Sequence, residues 1–262
     1  MTRIISWNVN GIRAAARKGF FDWLPAESPD VVCLQETKAS PEQLGPEFLE
    51  PADAKGGWKT YWASAKKKGY SGVAILSRRE PRAVTSLGIE EFDDEGRTLI
   101  ADYGDLLVMS AYFPNSQDLG ARLDYKLRFC SAILEWAEKV RAKGKHLVIA
   151  GDYNIAHKPI DLAHPESNEA SPGYLPEERA WMDTFTTAGY VDSFRHFDPA
   201  PQRYTWWTYR VAGARERNIG WRIDYQCVDP QLLSACTGAG IMPGVTGSDH
   251  CPVSLDLRVD LT

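Results

Sequence analysis

Apolar side chains along this chain follow two rhythms. Short runs rich in β-branched and aromatic residues read as strands: "RIISWNV" (3–9), "DVVCLQE" (30–36), "SGVAILS" (71–77), "TLIADY" (98–103) and "LLVMSAYF" (106–113). The second half adds "HLVIAGDYN" (146–154), "YVDSF" (190–194), "RIDYQCV" (222–228) and "PVSLDL" (252–257). Some of these, such as "HLVIAG", are apolar throughout and imply cover on both faces; others alternate and imply one solvated face. A helical stripe marks residues 121–143, where Leu123, Leu127, Cys130, Ile133, Leu134, Trp136, Ala137 and Val140 recur at helical spacing. Residues 19–27 and 175–190 are two further helices, the second with Pro176 near its start and Gly189 at its end. Strands and helices mixed without a strict strand–helix–strand rhythm predict an α+β fold with two sheets packed face to face. No linker-like tract divides the chain, so residues 1–262 are expected to form one domain. The polar, proline-bearing stretch 157–173 reads as a long surface loop, a kind usually tied to function.

Composition narrows the function. Hydrophobic residues make up 44% and charged residues 25%, which is enough for a sizeable core, and the formal charge of −5 argues against indiscriminate coating of nucleic acid while allowing a local basic face. Five scattered cysteines without a C-x-x-C suggest reduced thiols, and no cysteine/histidine cluster has zinc spacing. The first residues enter a strand without a charged leader, and no apolar run approaches the roughly 20 residues that cross a bilayer. An intracellular protein with no membrane partner is expected.

Chemistry gathers where strands stop. "IISWNVN" ends in Asn8 and Asn10, "VVCLQE" in Gln35 and Glu36, and "LVIAGDYN" in Asp152 and Asn154; "GSDH" precedes the last strand and Asp224 sits within "WRIDY". One such residue is ordinarily a turn or a cap. Five similarly placed groups point to a shared site. Asp152 and Asn154, like Asn8 and Asn10, are two apart and would share a face of an extended segment. Carboxylates Glu36, Asp152, Asp224 and Asp249 at one sheet edge would repel one another unless a cation lay among them, and a hard divalent ion such as Mg²⁺ suits oxygen ligands and a substrate phosphate. His250 is the histidine placed among these groups, where a carboxylate would favour its cation. His146, His157, His164 and His196 are read as structural.

The motifs "SWNVNGIRA" (6–14), "LQETK" (34–38), "KGYSGVA" (68–74), "AYFPN" (111–115), "GDYNIAH" (151–157), "YTWWTYR" (204–210), "GWRIDY" (220–225) and "GSDHCP" (247–252) resemble, in order and over almost the whole chain, exonuclease III-type apurinic/apyrimidinic endonucleases. The resemblance implies a four-layer α/β sandwich, two mixed sheets flanked by helices, with the site at one end. It implies hydrolysis of the DNA backbone 5′ to abasic sites, leaving 3′-OH and 5′-deoxyribose phosphate, with 3′→5′ exonuclease and 3′-phosphatase activities. By the same resemblance Glu36 holds Mg²⁺, or Mn²⁺ in its place, with Asn10 and Asp249 nearby. Asp152 orients or deprotonates water, Asn154 and Asn8 position groups around the phosphate, Tyr112 and Asn115 lie at the scissile phosphate, and Asp224 orients His250. Some relatives have Asp where this chain has Asn10, and a neutral side chain there weakens any second metal site.

Trp206, Trp221 and Ile223 correspond to a small apolar pocket that admits a sugar lacking its base, and an abasic nucleotide has no base to unstack. Arg13, Lys18, Lys38, Tyr70, Arg97 and Asn168 are candidate contacts to duplex phosphates, with "KKK" (66–68) and "ARERN" (214–218) adding positive charge. The implied partner is double-stranded DNA bearing abasic sites or blocked 3′ ends, acted on by a monomer in a prokaryotic cytoplasm near the nucleoid. Two rival readings are a phosphatase or phosphodiesterase of inositol or lipid phosphates on the same fold, and a catalytically silent DNA-damage binder.

Overall fold

The structure, a computed structural model, describes residues 1–261. Two six-stranded sheets form its centre. Across the first, the strands are Cys236–Ile241, Val253–Leu257, Thr2–Asn8, Val31–Gln35, Val73–Ser77 and Lys59–Ala63. Across the second they are Val191–Asp192, Asp224–Val228, His146–Asp152, Leu106–Tyr112, Thr98–Asp102 and Ala83–Thr85. Each sheet has one parallel pair at its middle, Thr2–Asn8 beside Val31–Gln35 and Leu106–Tyr112 beside His146–Asp152, and antiparallel neighbours elsewhere.

Alternation of side chains sorts the layers. Ile4, Val31, Cys33, Val73 and Ile75 of the first sheet meet Leu99, Ala101, Val108, Val148 and Ala150 of the second in the inter-sheet core. Their neighbours in sequence point outward. Trp7, Val32, Leu34 and Ala74 pack on Ile12, Phe20 and Leu24 from the helices Ile12–Ala16 and Phe20–Glu27. Met109, Leu147, Ile149 and Cys227 pack on Phe129 and Ile133 of the helix Leu123–Ala142 and on Met182 and Phe185 of the helix Pro176–Thr187. Strands covered on both faces read as continuous apolar runs for this reason, and the expected four-layer sandwich is what forms. All five cysteines are free, and no helix of the described residues is long and apolar enough to cross a membrane.

The expected strand 190–194 is only partly one. Val191–Asp192 pairs at the edge, and Asp192 then accepts a hydrogen bond from the Arg195 amide (3.3 Å) and starts a helical turn, Ser193–Phe197. The polar segment 157–173 is held by two short 3₁₀ turns, Pro159–Asp161 and Pro165–Asn168.

Candidate active site

The carboxyl ends of the four parallel strands meet at one end of the sandwich, beside the amino ends of their antiparallel neighbours. From the parallel strands come Asn8, Glu36, Tyr112 and Asp152; from the neighbours come Asp224 and the residues before Val253, Asp249 and His250. The backbone turns sharply there. Asn10 (φ 45), Glu36 (φ 50), Lys38 (φ 52) and Asn154 (φ 50) all adopt left-handed conformations that non-glycine residues avoid. Such strain persists where the surroundings dictate it, often at working sites. It also corrects the extended-face reading of the Asn8/Asn10 and Asp152/Asn154 pairs. The amide of Asn10 donates to Asn8 Oδ1 (2.9 Å) and the amide of Asn154 to Asp152 Oδ1 (2.8 Å), so each pair closes a turn.

Asn8 ties the two sheets together: its Nδ2 donates to Glu36 Oε1 and to Asp152 Oδ2, both at 2.9 Å. Asn154 Nδ2 also donates to Asp152 Oδ2 (3.1 Å) and to the Phe113 carbonyl (3.0 Å), and Asn115 Nδ2 donates to Asn154 Oδ1 (3.1 Å). His250 Nδ1 is 2.9 Å from Asp224 Oδ2, and its Nε2 faces Asp152 Oδ2 at 3.9 Å. The Ser248 hydroxyl donates to the Asn8 carbonyl (2.8 Å) and accepts from the His250 amide (3.2 Å), fixing the imidazole's approach. Asp224 Oδ1 has no hydrogen-bond partner among the described residues, so its charge is met chiefly by His250.

Burial and crowding set the protonation states. Burial pushes the Asp152 carboxyl up to about 7, with Asp224 and Glu36 adding to the rise and the His250 cation opposing it. Burial alone would lower His250, but Asp224, Asp152 and Asp249 outweigh it and raise the imidazole to about 10, so it is a cation at neutral pH. Burial, with Glu36 and Asp152 nearby, holds the Tyr112 hydroxyl far above its ordinary value, and it remains a proton donor. Burial also opposes ionisation of Glu36, but Lys38 and Asn8 more than compensate and keep it below the usual range. Asp249 is lowered too: burial is outweighed by His250, Asn10 and Trp206.

Glu36, Asp152 and His250 place ligand-type atoms within 4.8 Å of one another. Beside them the Lys38 ammonium bonds Glu36 Oε2 (2.8 Å) and Asn10 Oδ1, while Asn10 Nδ2 donates to Asp249 Oδ1 (2.8 Å). Hard carboxylate and amide oxygens that already gather one cation are a donor set suited to a small divalent ion.

Glu36, Tyr112, Asn115, Asp152, Asn154, Asp249 and His250 line a cavity of about 390 Å³. Its apolar wall is Trp206, Trp221 and Ile223, backed by Leu162 and Tyr174, with the two indoles edge to face at 6.1 Å. Trp206 Nε1 donates to Asp249 Oδ2 (3.1 Å), so the wall is bonded to the acidic cluster. Asn168 and Gly173 line the rim. Gly173 has φ +91, and a Cβ there would lie 3.3 Å from the Trp221 ring and 3.1 Å from the Asn154 carbonyl.

The candidate duplex contacts separate. Arg13 and Lys18 are exposed, as are Lys66, Lys67 and Lys68. Lys38 instead folds back into the acidic cluster, where Glu36 attracts it. Arg97 is 1% exposed and bonds the Tyr112 carbonyl (2.9 Å), the Tyr70 hydroxyl (2.9 Å) and Glu95. It therefore braces Tyr112 and Tyr70 rather than offering its charge to solvent, a correction to its reading as a phosphate contact. Tyr70 also accepts from Arg122 (2.7 Å).

Two supporting residues were missed or read differently in the sequence: Arg222 was passed over, and Arg215 was counted only as positive charge for the duplex. Arg222 lies between Trp221 and Ile223, turned to the other side, where it is buried on Asp161 (2.9 Å) and Asp192 (2.7 Å) and aims its two neighbours at the cavity. The alternation in "WRID" was its available signal. Arg215, within "ARERN", stacks on Trp207 and bonds the carbonyls of Pro243, Val245 and Ser248, pinning the loop that carries Asp249 and His250.

Comparison with known proteins identifies the family. The profile of the endonuclease/exonuclease/phosphatase family matches residues 5–250. An exodeoxyribonuclease of Bacillus subtilis (strain 168) is 43% identical, over 98% of this chain and 100% of its own length. A DNA repair nuclease APEX1 of Danio rerio is 41% identical, over 98% of this chain and 82% of its own. Among solved structures, an AP endonuclease from Archaeoglobus fulgidus superposes with a TM-score of 0.88 at 29% identity, covering 99% of this chain and 100% of the other. By sequence and by fold, the chain belongs to the endonuclease/exonuclease/phosphatase family.

Proposed function

We propose that this chain is a Mg²⁺-dependent DNA-repair nuclease of the AP endonuclease/exodeoxyribonuclease type. It hydrolyses the DNA backbone 5′ to abasic sites, leaves 3′-OH and 5′-deoxyribose phosphate, and trims blocked 3′ ends by 3′→5′ exonuclease and 3′-phosphatase action. The observation that carries the reading is the junction of an acid–imidazole cluster with an apolar, tryptophan-walled cavity. Phosphate chemistry sits beside a surface suited to a sugar without its base. Full-length relatives named as nucleases weigh against the inositol- or lipid-phosphate alternative, and a complete acid, base and clamp set weighs against a silent binder.

In this reading Asp152, as carboxylate, takes the proton of the attacking water while Asn8 and Asn154 hold its oxygens. The His250 cation, held by Asp224, meets the charge that builds on the phosphate, and Asn115 and the Tyr112 hydroxyl donate to its oxygens. Glu36, with Asn10 and Asp249, would hold the divalent ion, Mn²⁺ being an acceptable substitute. When bound, the ion neutralises phosphate charge and acts as a Lewis acid. Trp206, Trp221 and Ile223 receive the extruded abasic sugar; Arg13, Lys18 and the exposed lysine run bind duplex phosphates, with Tyr70 and Asn168 at the margins. One domain acting as a monomer suffices, since every group comes from this chain.

The rate should follow two ionisations. Asp152 must lose its proton, so kcat/KM rises with pH up to about 7; His250 must keep its own, so kcat/KM falls towards about 10. A bound divalent ion moves the acid limb lower. A pH–rate profile checks this, and a rate that declines from pH 6 to pH 8 would refute the assignment of Asp152 as base. Trp206→Phe keeps an aromatic wall but removes the donor to Asp249. A hydrogen bond to a charged group contributes ~1.5–3 kcal/mol, so kcat/KM on an abasic duplex should fall by about tenfold or more. An unchanged value would show the bond to be idle. The nuclease reading itself is tested by incision of a duplex with a single abasic analogue, against inositol polyphosphates as the competing substrate.

A further inference from the structure

Among the described residues, the ion pair most completely withdrawn from water has no part in the chemistry above. Lys126 Nζ and Glu178 Oε1 lie 2.6 Å apart, and neither side chain has any exposure. Lys126 belongs to the helix Leu123–Ala142, and Glu178 to the first turn of the helix Pro176–Thr187. Two helices need no such pair to pack, because desolvating both charges is costly and apolar side chains of similar volume serve stability as well or better. What the pair does provide is direction.

Each remaining bond of this pair leads to the candidate site. Lys126 Nζ donates to the main-chain carbonyl of Asn154 (2.6 Å), the residue held at φ 50. Glu178 Oε1 also accepts from the Ser116 hydroxyl (2.5 Å), next in sequence to Asn115, whose amide meets Asn154. Glu178 Oε2 accepts from the Leu175 amide (2.9 Å), two residues beyond Gly173, which lies against Trp221 and the Asn154 carbonyl. The pair thus ties together three separate segments that carry the cavity lining: the carboxylate holds two directly, and Lys126 holds the third.

We propose that Glu178, together with Lys126, is a positioning residue for the reaction: it fixes Asn115, Asn154 and the Gly173–Trp221 wall relative to one another. The inference rests on the nuclease reading. Ser116→Ala cuts one arm and leaves no buried charge unpaired, so it keeps the fold, whereas Glu178→Gln strands the buried Lys126 charge. Kinetics on an abasic duplex, and amide hydrogen exchange of the DNA-free protein, are measured for Ser116→Ala, Asn115→Ala and the double variant. Small displacements of aligned groups are costly, so Ser116→Ala should lower kcat about tenfold with KM within about twofold. It should cost nothing further when Asn115 is already Ala. Exchange should quicken by about tenfold at 115–117 and stay unchanged in the strands of the first sheet. Parent-like kcat, or full additivity with Asn115→Ala, overturns the inference while leaving the nuclease reading intact. If the parent cuts no abasic duplex, the nuclease reading falls instead, and parent-like exchange at 115–117 then overturns the positioning role on its own.

Discussion

Asp152→Asn is expected to lower kcat on an abasic duplex by about 10³–10⁴-fold while the protein remains folded. The size follows from the loss of the general base, ordinarily about 10²–10⁴-fold, together with an amide group presented to two amide donors. Asp152 Oδ2 accepts from both Asn8 and Asn154, and Asn at 152 can keep only part of that set. Stability should move little, for a reason visible in the protonation state. Burial raises the Asp152 carboxyl to about 7, above its unfolded value, so the folded state favours the protonated form. The ionised carboxylate is therefore a cost to folding that grows as pH rises from the unfolded value to the folded one, and a neutral side chain escapes it. The lost hydrogen bond offsets that gain by ~1–3 kcal/mol. Thermal unfolding at pH 8 should give a midpoint within a few degrees of the parent. A variant with near-parent turnover would mean that water is activated elsewhere.

His250→Ala should behave differently, losing activity by about 10²–10³-fold and also stability. The loss cannot be confined to turnover: Asp224 is buried, its Oδ2 bonds His250, and its Oδ1 has no hydrogen-bond partner among the described residues. Removing one partner of a buried pair typically costs ~3–5 kcal/mol because the other charge is left alone. The double variant His250→Ala/Asp224→Asn removes that charge, so it should recover much of the lost stability, measured by urea unfolding, and none of the activity. If the double variant is no more stable than the single one, the two residues are not the pair described here.

What the sequence allowed to be read follows from burial. The central strands are covered on both faces and announced themselves as apolar runs. The strands of the two large sheets that were passed over, Lys59–Ala63, Ala83–Thr85 and Cys236–Ile241, all lie at sheet edges, and "CTGAGI" is also rich in glycine; edge strands carry polar and small residues that blur the pattern. Val191–Asp192 is the fourth edge, and there the expected strand shrank to two residues. Asn8, Glu36, Asp152, Asp224 and His250 were recognisable as a set because polar residues at strand ends are individually unusual in such company. The Asp224–His250 pairing was legible as well, but the Asn8–Asp152 bond was not, since Asn8 reaches Asp152 only through the packing of one sheet on the other. Arg97 and Lys126 look in sequence like ordinary surface charges. Each is buried because a carboxylate or carbonyl from a distant segment meets it, a relation that no local pattern carries.

The acid–imidazole cluster is proposed to cut DNA at a sugar without its base, using a divalent ion. A labelled duplex carrying one abasic analogue, incubated with Mg²⁺ or with chelator, tests it most directly. A single incision 5′ to the lesion is expected in Mg²⁺ and none in chelator. Equal cutting of an undamaged duplex, incision 3′ to the lesion, or cutting that persists in chelator would contradict it.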